Sequence, residues 1–195
     1  MSTIDLIQEV EAVNLNNYKY DYRTGHPAVY VGTYHKYNCG SLFGMWMDLT
    51  KFADFEEFMN ACRFLHNDES CPELMFQDYE NYPDEWYSES FMGEVHFNMI
   101  QRYAELDDKD VFDAFMDIRG GDYDSDDESV FDEYTDKFCG VYDSKAEFAE
   151  QLADETCMLD NVPESMRDYI DFDAMARDLF ICDYDYSGGF VFRRN

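Results

Sequence analysis

Basic side chains are scarce in this chain. Its 195 residues carry 14 Lys and Arg against 44 Asp and Glu, a formal net charge of −30. Nucleic acids and anionic membranes both demand a basic face, so neither is an expected partner. No apolar stretch approaches the roughly 20 residues of a membrane span. The opening MSTIDLIQEV lacks a basic segment followed by an apolar one, so no signal peptide is expected and the protein is read as soluble and cytoplasmic. Cys39, Cys62, Cys71, Cys139, Cys157 and Cys182 form no C-x-x-C pair, and reduced, mostly buried thiols are expected. There is no long repeat and no Pro- or Ser-rich linker. G-x-S-x-G, Walker, H-E-x-x-H and G-x-G-x-x-G patterns are missing, so neither an enzyme nor a cofactor site is expected. The histidines His26, His35, His66 and His96 show no ligand spacing with the cysteines, which leaves no expected metal site.

Apolar material, by contrast, is plentiful. Hydrophobic residues make up 46% of the chain and aromatics 18%, with 17 Phe, 16 Tyr and 2 Trp. Disordered acidic tails are poor in aromatics, so the chain reads as a folded acidic protein.

Its patterning predicts an α+β protein of three small modules. Residues 1–26 form a poorly patterned leader in which Tyr18, Tyr20 and Tyr22 alternate, as in a short strand or a docked arm. The modules are assigned to 27–87, 88–137 and 138–195. Ala28 to Tyr34 alternates as a strand. His35 to Ser41 reads as a turn-rich loop. Leu42 to Leu49 reads as the returning strand, with Phe43, Met45, Met47 and Leu49 on one face. Asp54 and Glu57 form a capping box before a helix with Phe55, Phe58, Met59, Cys62 and Leu65 on one stripe. Leu74 to Tyr79 is a third strand. In the middle module Met92, Val95, His96, Met99, Ile100 and Tyr103 mark one helix. A second is capped by Asp107, buries Val111, Ala114, Phe115 and Ile118, and stops at Gly120-Gly121. A third carries Val130, Phe131, Tyr134 and Phe138 and stops at Gly140. Further on, Ser144 and Glu147 form another capping box ahead of Phe148, Ala149 and Leu152. Pro163 opens a short helix, and Asp171 caps the last one. Ser187-Gly-Gly189 is a turn before a closing strand from Phe190 to Arg194.

The acids spread across all three modules. Thirteen lie from Asp48 to Glu94, fourteen from Glu105 to Asp136 and thirteen from Asp143 to Asp185, against two, two and three bases. Charge runs ordinarily just solvate helix faces. A near-constant density over folded modules instead suits a continuous negative surface resembling duplex DNA. Duplex DNA carries one charge per ~1.7 Å, so thirty charges equal roughly fifteen base pairs. Two alternatives stand beside this reading: an acidic adaptor or chaperone for another basic protein, and a divalent-cation binder. For the latter, Asp122-x-Asp124-x-Asp126 has Asp127 where a calcium loop needs glycine. Asp183-x-Asp185-x-Ser187-Gly188 has Arg194 where a bidentate Glu belongs.

Three stretches carry a family resemblance. Tyr30 to Trp46 (YVGTYHKYNCGSLFGMW) resembles the opening segment of ArdA antirestriction proteins. Phe76 to Glu80 (FQDYE) is similar to that family's end-of-module segment, and Val162 to Leu179 to its C-terminal region. The resemblance implies a DNA mimic carried by mobile genetic elements. Such a mimic inhibits type I restriction-modification enzymes by occupying the DNA groove of the methyltransferase core. It also implies a rod of three modules, paired into a homodimer through the C-terminal module. The DNA-like surface would comprise Asp107, Asp108, Asp110, Asp113, Asp117, Asp122, Asp124, Asp126, Asp127, Glu128, Asp132, Glu133 and Asp136 in the middle, then Asp160, Glu164, Asp168, Asp171, Asp173 and Asp178. Arg167 and Arg177 would pair with neighbouring carboxylates, and Phe148 and Leu152 would lie at the dimer interface.

Overall fold

A computed structural model describes residues 13–120 and 128–194. The chain is α+β, and its contacts divide it into two compact units. The described part of the first comprises 13–106 and Glu128; that of the second comprises 107–120 and 129–194.

The first unit is built on an antiparallel sheet of order β2-β1-β3, with β1 Ala28–Thr33, β2 Met45–Asp48 and β3 Leu74–Glu80. The β1–β2 pairing sets Tyr30 opposite Trp46, and a bulge after Tyr30 shifts the register against β3. The link between β1 and β2, expected as loop, contains helix α1 (Tyr34–Asn38). Thr33 nucleates it by accepting the Lys36 amide on its side chain. The second strand is shorter than its alternation predicted: Leu42 and Phe43 are exposed, and pairing starts at Met45.

Helix α2 (Phe55–Leu65) starts as expected. Asp54 Oδ1 accepts the Glu57 amide at 2.8 Å, and Glu57 Oε2 reaches back to the Ala53 amide at 2.6 Å. Phe58 is fully buried between Phe52, Phe76 and Phe97, at ring separations of 5.3, 6.1 and 5.5 Å. Helix α3 (Glu94–Ala104) supplies Phe97, Met99, Ile100 and Tyr103 to this core. Its apolar face is rotated from the expected stripe. Phe97 is buried while Val95 is exposed, because α3 begins after its N-cap Gly93 and turns Phe97 toward Phe58. Residues 13–26 lie against the sheet as a docked arm: Tyr18 stacks on Phe52 at 4.2 Å, and the Tyr20 amide donates to the Trp46 carbonyl.

The second unit combines a sheet of order β4-β6-β5 with helices α4 (Lys109–Arg119), α5 (Ser129–Lys137), α6 (Lys145–Glu155), α7 (Glu164–Arg167) and α8 (Phe172–Cys182). Its strands are β4 Phe138–Val141, β5 Tyr184–Ser187 and β6 Phe190–Arg193. Helix α4 starts one residue later than expected, with Asp108 at its cap. It ends on Gly120, whose φ of 55° is the left-handed geometry that glycine adopts without Cβ strain. Phe112 stacks on Phe131 at 4.7 Å, and Phe115, Phe138 and Phe192 continue the core. The expected extension of α5 to Gly140 is not seen. At Phe138 the backbone passes into β4, because Phe138 and Gly140 find partners on β6. Ser144 and Glu147 close their capping box, and Gly188 and Gly189, both at positive φ, turn β5 into β6.

Candidate functional site

Helix α4 separates its residues cleanly. Val111, Phe112, Phe115 and Met116 are buried, while Asp110, Asp113 and Asp117 are exposed. At about 100° per residue the three acids fall within one narrow arc opposite the core face. They lie seven residue steps apart end to end, about 10.5 Å of axis, so charges recur every ~5 Å. One DNA strand places a phosphate every ~3.4 Å.

Helix α6 repeats the arrangement 37 positions later. Glu147, Glu150 and Asp154 are exposed opposite buried Phe148, Ala149 and Ala153. The same spacing arises because each helix turns i, i+1, i+4 and i+5 inward, with Leu152 of α6 only half-buried, which leaves i−1, i+2 and i+6 for solvent.

Most of the other expected carboxylates also face solvent. Asp107, Asp108, Asp132, Asp136, Asp160, Glu164, Asp168, Asp171, Asp173 and Asp178 are exposed. Asp171 Oδ1 accepts the Ala174 amide as the cap of α8. Glu128 is exposed, accepts from Asn98 Nδ2 at 3.1 Å, and belongs to the first unit. Asp122, Asp124, Asp126 and Asp127 lie outside the described residues, and with them the first cation-loop candidate.

Glu133 is less exposed. It is half-buried, accepting from Arg119 Nε at 2.9 Å and Lys137 Nζ at 2.8 Å. The Lys137 hydrogen bond, then Arg119, holds its carboxyl below the ordinary range. Its charge is matched locally. Arg167 lies 3.4 Å from Asp154 and 3.6 Å from Glu164, as the sequence reading anticipated. Arg177 makes no ion pair among the described residues. Phe148 is 4% exposed and packs on Tyr142, Phe180 and Tyr184, so its ring belongs to the core and not to an open surface. Leu152 is half-buried.

The second cation-loop candidate is not a loop. Asp185 sits in β5, and Arg194 grips it with two hydrogen bonds of 2.9 and 2.6 Å. The arginine at the twelfth position therefore supplies the cation itself.

One cluster escaped sequence reasoning. The ligand atoms of His66, Asp68 and Glu69 lie within 4.8 Å of one another. Lys36 Nζ stands among them, 3.0 Å from His66 Nδ1, 2.7 Å from Asp68 and 3.4 Å from Glu69. His66 Nε2 faces the Val31 carbonyl at 3.4 Å, which places the ring proton on Nε2 and leaves Nδ1 to accept from the ammonium. Burial, reinforced by Lys36, lowers the His66 pKa. The signal was the His-x-Asp-Glu spacing; the partner lysine, thirty residues earlier, gave none. The thiols also depart from expectation: Cys62 is buried, but Cys39, Cys71, Cys157 and Cys182 are exposed. Among the described residues no helix is long and apolar enough to cross a membrane.

Residues 29–192 match the family model described as Antirestriction protein (ArdA). No curated protein matches the chain.

Proposed function

The chain belongs to the ArdA family of antirestriction proteins, and from that premise we propose that it is a DNA mimic directed at type I restriction-modification enzymes. It acts without catalysis, in the cytoplasm, by filling the groove in which the methyltransferase core holds duplex DNA. The observation that carries this reading is the pair of carboxylate ladders on α4 and α6. Rigid helices hold their charges at fixed intervals, with the apolar side turned inward. A partner built to neutralise phosphates with Lys and Arg meets a similar field, and attraction and steering follow from the summed charge. The stretches 27–87, 88–137 and 138–195 each contribute a segment of that surface.

Pairing into a homodimer belongs to the same proposal. Met158, Met166, Tyr169 and Ile181 in the second unit are large, apolar and exposed, and they support such pairing better than core Phe148.

The test is competition for a purified type I methyltransferase. The chain should displace labelled duplex DNA, and its own binding should weaken as salt rises, because both ligands bind through screened charge. Simultaneous binding of DNA and the chain to one enzyme would defeat the proposal.

A further inference from the structure

The first unit carries an open cavity of about 540 Å³ whose walls are aromatic. Four elements build it. Tyr30 on β1 and Trp46 on β2 face each other across the strand pair, their rings 5.6 Å apart at 69°. The docked arm adds Tyr20, 5.9 Å from Trp46, and Tyr22, which is 80% exposed. Glu80, the last residue of β3, accepts from Tyr20 Oη at 2.8 Å, and Asn81 Nδ2 donates to the same oxygen at 2.9 Å. Tyr20 is thus fixed from both sides. Gly44 makes room: a Cβ there would lie 2.4 Å from the Val31 carbonyl and 2.7 Å from the Tyr30 ring.

We propose that this cavity receives an arginine side chain of the partner protein. This rests on the preceding reading, in which the partner presents a basic groove. The half-exposed rings offer π-faces to a cation, and tryptophan is the strongest such face. A carboxylate stands at the edge. A guanidinium is planar, weakly hydrated and always charged, so it stacks on aromatic faces where an ammonium stays in water. The cavity supplies a defined anchor within an otherwise diffuse attraction. Among the described residues Lys19 is the one cation of the lining, and it is exposed. Its ammonium opposes an incoming guanidinium, which gives the inference a second handle.

The test uses the full chain, labelled for NMR, titrated with capped Gly-Arg-Gly, Gly-Lys-Gly and Gly-Glu-Gly. The arginine peptide should move the Trp46 indole N–H resonance saturably and leave buried Trp86 still. Tyr22→Ala, which removes an exposed ring and spares the fold, should weaken binding at the Trp46 indole about 2- to 30-fold, and Trp46→Ala should weaken it by as much when read at the Tyr20 and Tyr30 backbone amides. Lys19→Met should tighten it. Shifts spread evenly over the acidic residues with Trp46 unmoved would overturn the inference. So would preference for the glutamate peptide, or weaker binding by Lys19→Met. The same variants then enter the methyltransferase competition. Wild-type inhibition matched by both ring variants removes the pocket from recognition while the antirestriction reading stands. Failure of the wild type to compete, with arginine still bound at Trp46, removes the type I reading and leaves the site.

Discussion

Glu133 sits inside the densest acidic stretch yet is internally matched, so replacing it should cost stability and not inhibition. Its two oxygens accept from Arg119 at the end of α4 and from Lys137 one turn along α5, tying the two helices together. Hydrogen bonds to charged groups contribute about 1.5–3 kcal/mol each. The side chain is 33% exposed, however, and solvent screens the pair. A discounted cost of about 1–2 kcal/mol for Glu133→Gln follows. For a chain of this length each kcal/mol moves Tm by roughly 2–4 °C, so the variant should melt about 2–8 °C lower by circular dichroism. Asp136→Asn, an exposed neighbour, should stay within about 0.5 kcal/mol of wild type. The sign with pH follows from the lowered carboxyl pKa. The folded state binds that proton less readily than the unfolded chain, so the stabilisation is present above the ordinary value of 4.5 and disappears as pH falls through the folded value. The gap between wild type and variant should therefore close in acid. Methyltransferase inhibition, measured well below Tm, should be unchanged. Equal melting of Glu133→Gln and wild type at neutral pH would refute the strut. Loss of inhibition by that single change would instead place Glu133 on the recognised surface.

Neutralising Asp107, Asp108, Asp110, Asp117, Asp136, Asp160, Asp173 and Asp178 together as Asn changes the formal charge by eight, from −30 to −22. At about 0.2–1 kcal/mol per exposed charge contact, inhibition should weaken tenfold or more in a competition titration, while any single change does little. Phe58→Ala should destabilise the first unit by about 3–5 kcal/mol in urea melts, since its ring is fully buried among three others. Asp54→Ala removes the cap of α2 and should cost about 0.5–2 kcal/mol by the same measurement. His66 has a lowered pKa, so the unfolded chain binds its proton more readily. Stability should fall as pH drops below the ordinary 6.5, and His66→Gln should flatten that fall between pH 7 and 5.5.

Local chemistry made much of the fold legible in the sequence. The boxes at Asp54–Glu57 and Ser144–Glu147 each satisfy orphan amides within four residues, and Gly188-Gly189 permits only a few turns. These signals need no distant partner. The failures are of the other kind. Helix α1 is too short to display a period, and Thr33 as its cap lies inside a strand pattern. Phe138 carries the periodicity of α5, but β6, fifty residues later, offers it a strand partner. The buried face of α3 departs from its sequence period because Phe97 is drawn inward by Phe58. For the carboxylates, sequence gave density, and the helical spacing of core residues dictated which acids point outward. Sequence did not distinguish Glu133 from its neighbours, since its matching depends on Arg119 across a helix pair. Nor did it mark Tyr20, Tyr30, Trp46 and Glu80 as one cavity, because four separate elements supply them.

On α4 the outward positions are defined by what the opposite side must bury, and any acid of either length can fill them. Aspartate and glutamate are then exchangeable there, and each can drift without loss of the field. Selection would act on the tally and leave the individual letters loose. Lineage should therefore stay readable in strands, turns and buried rings long after the acidic positions have been rewritten.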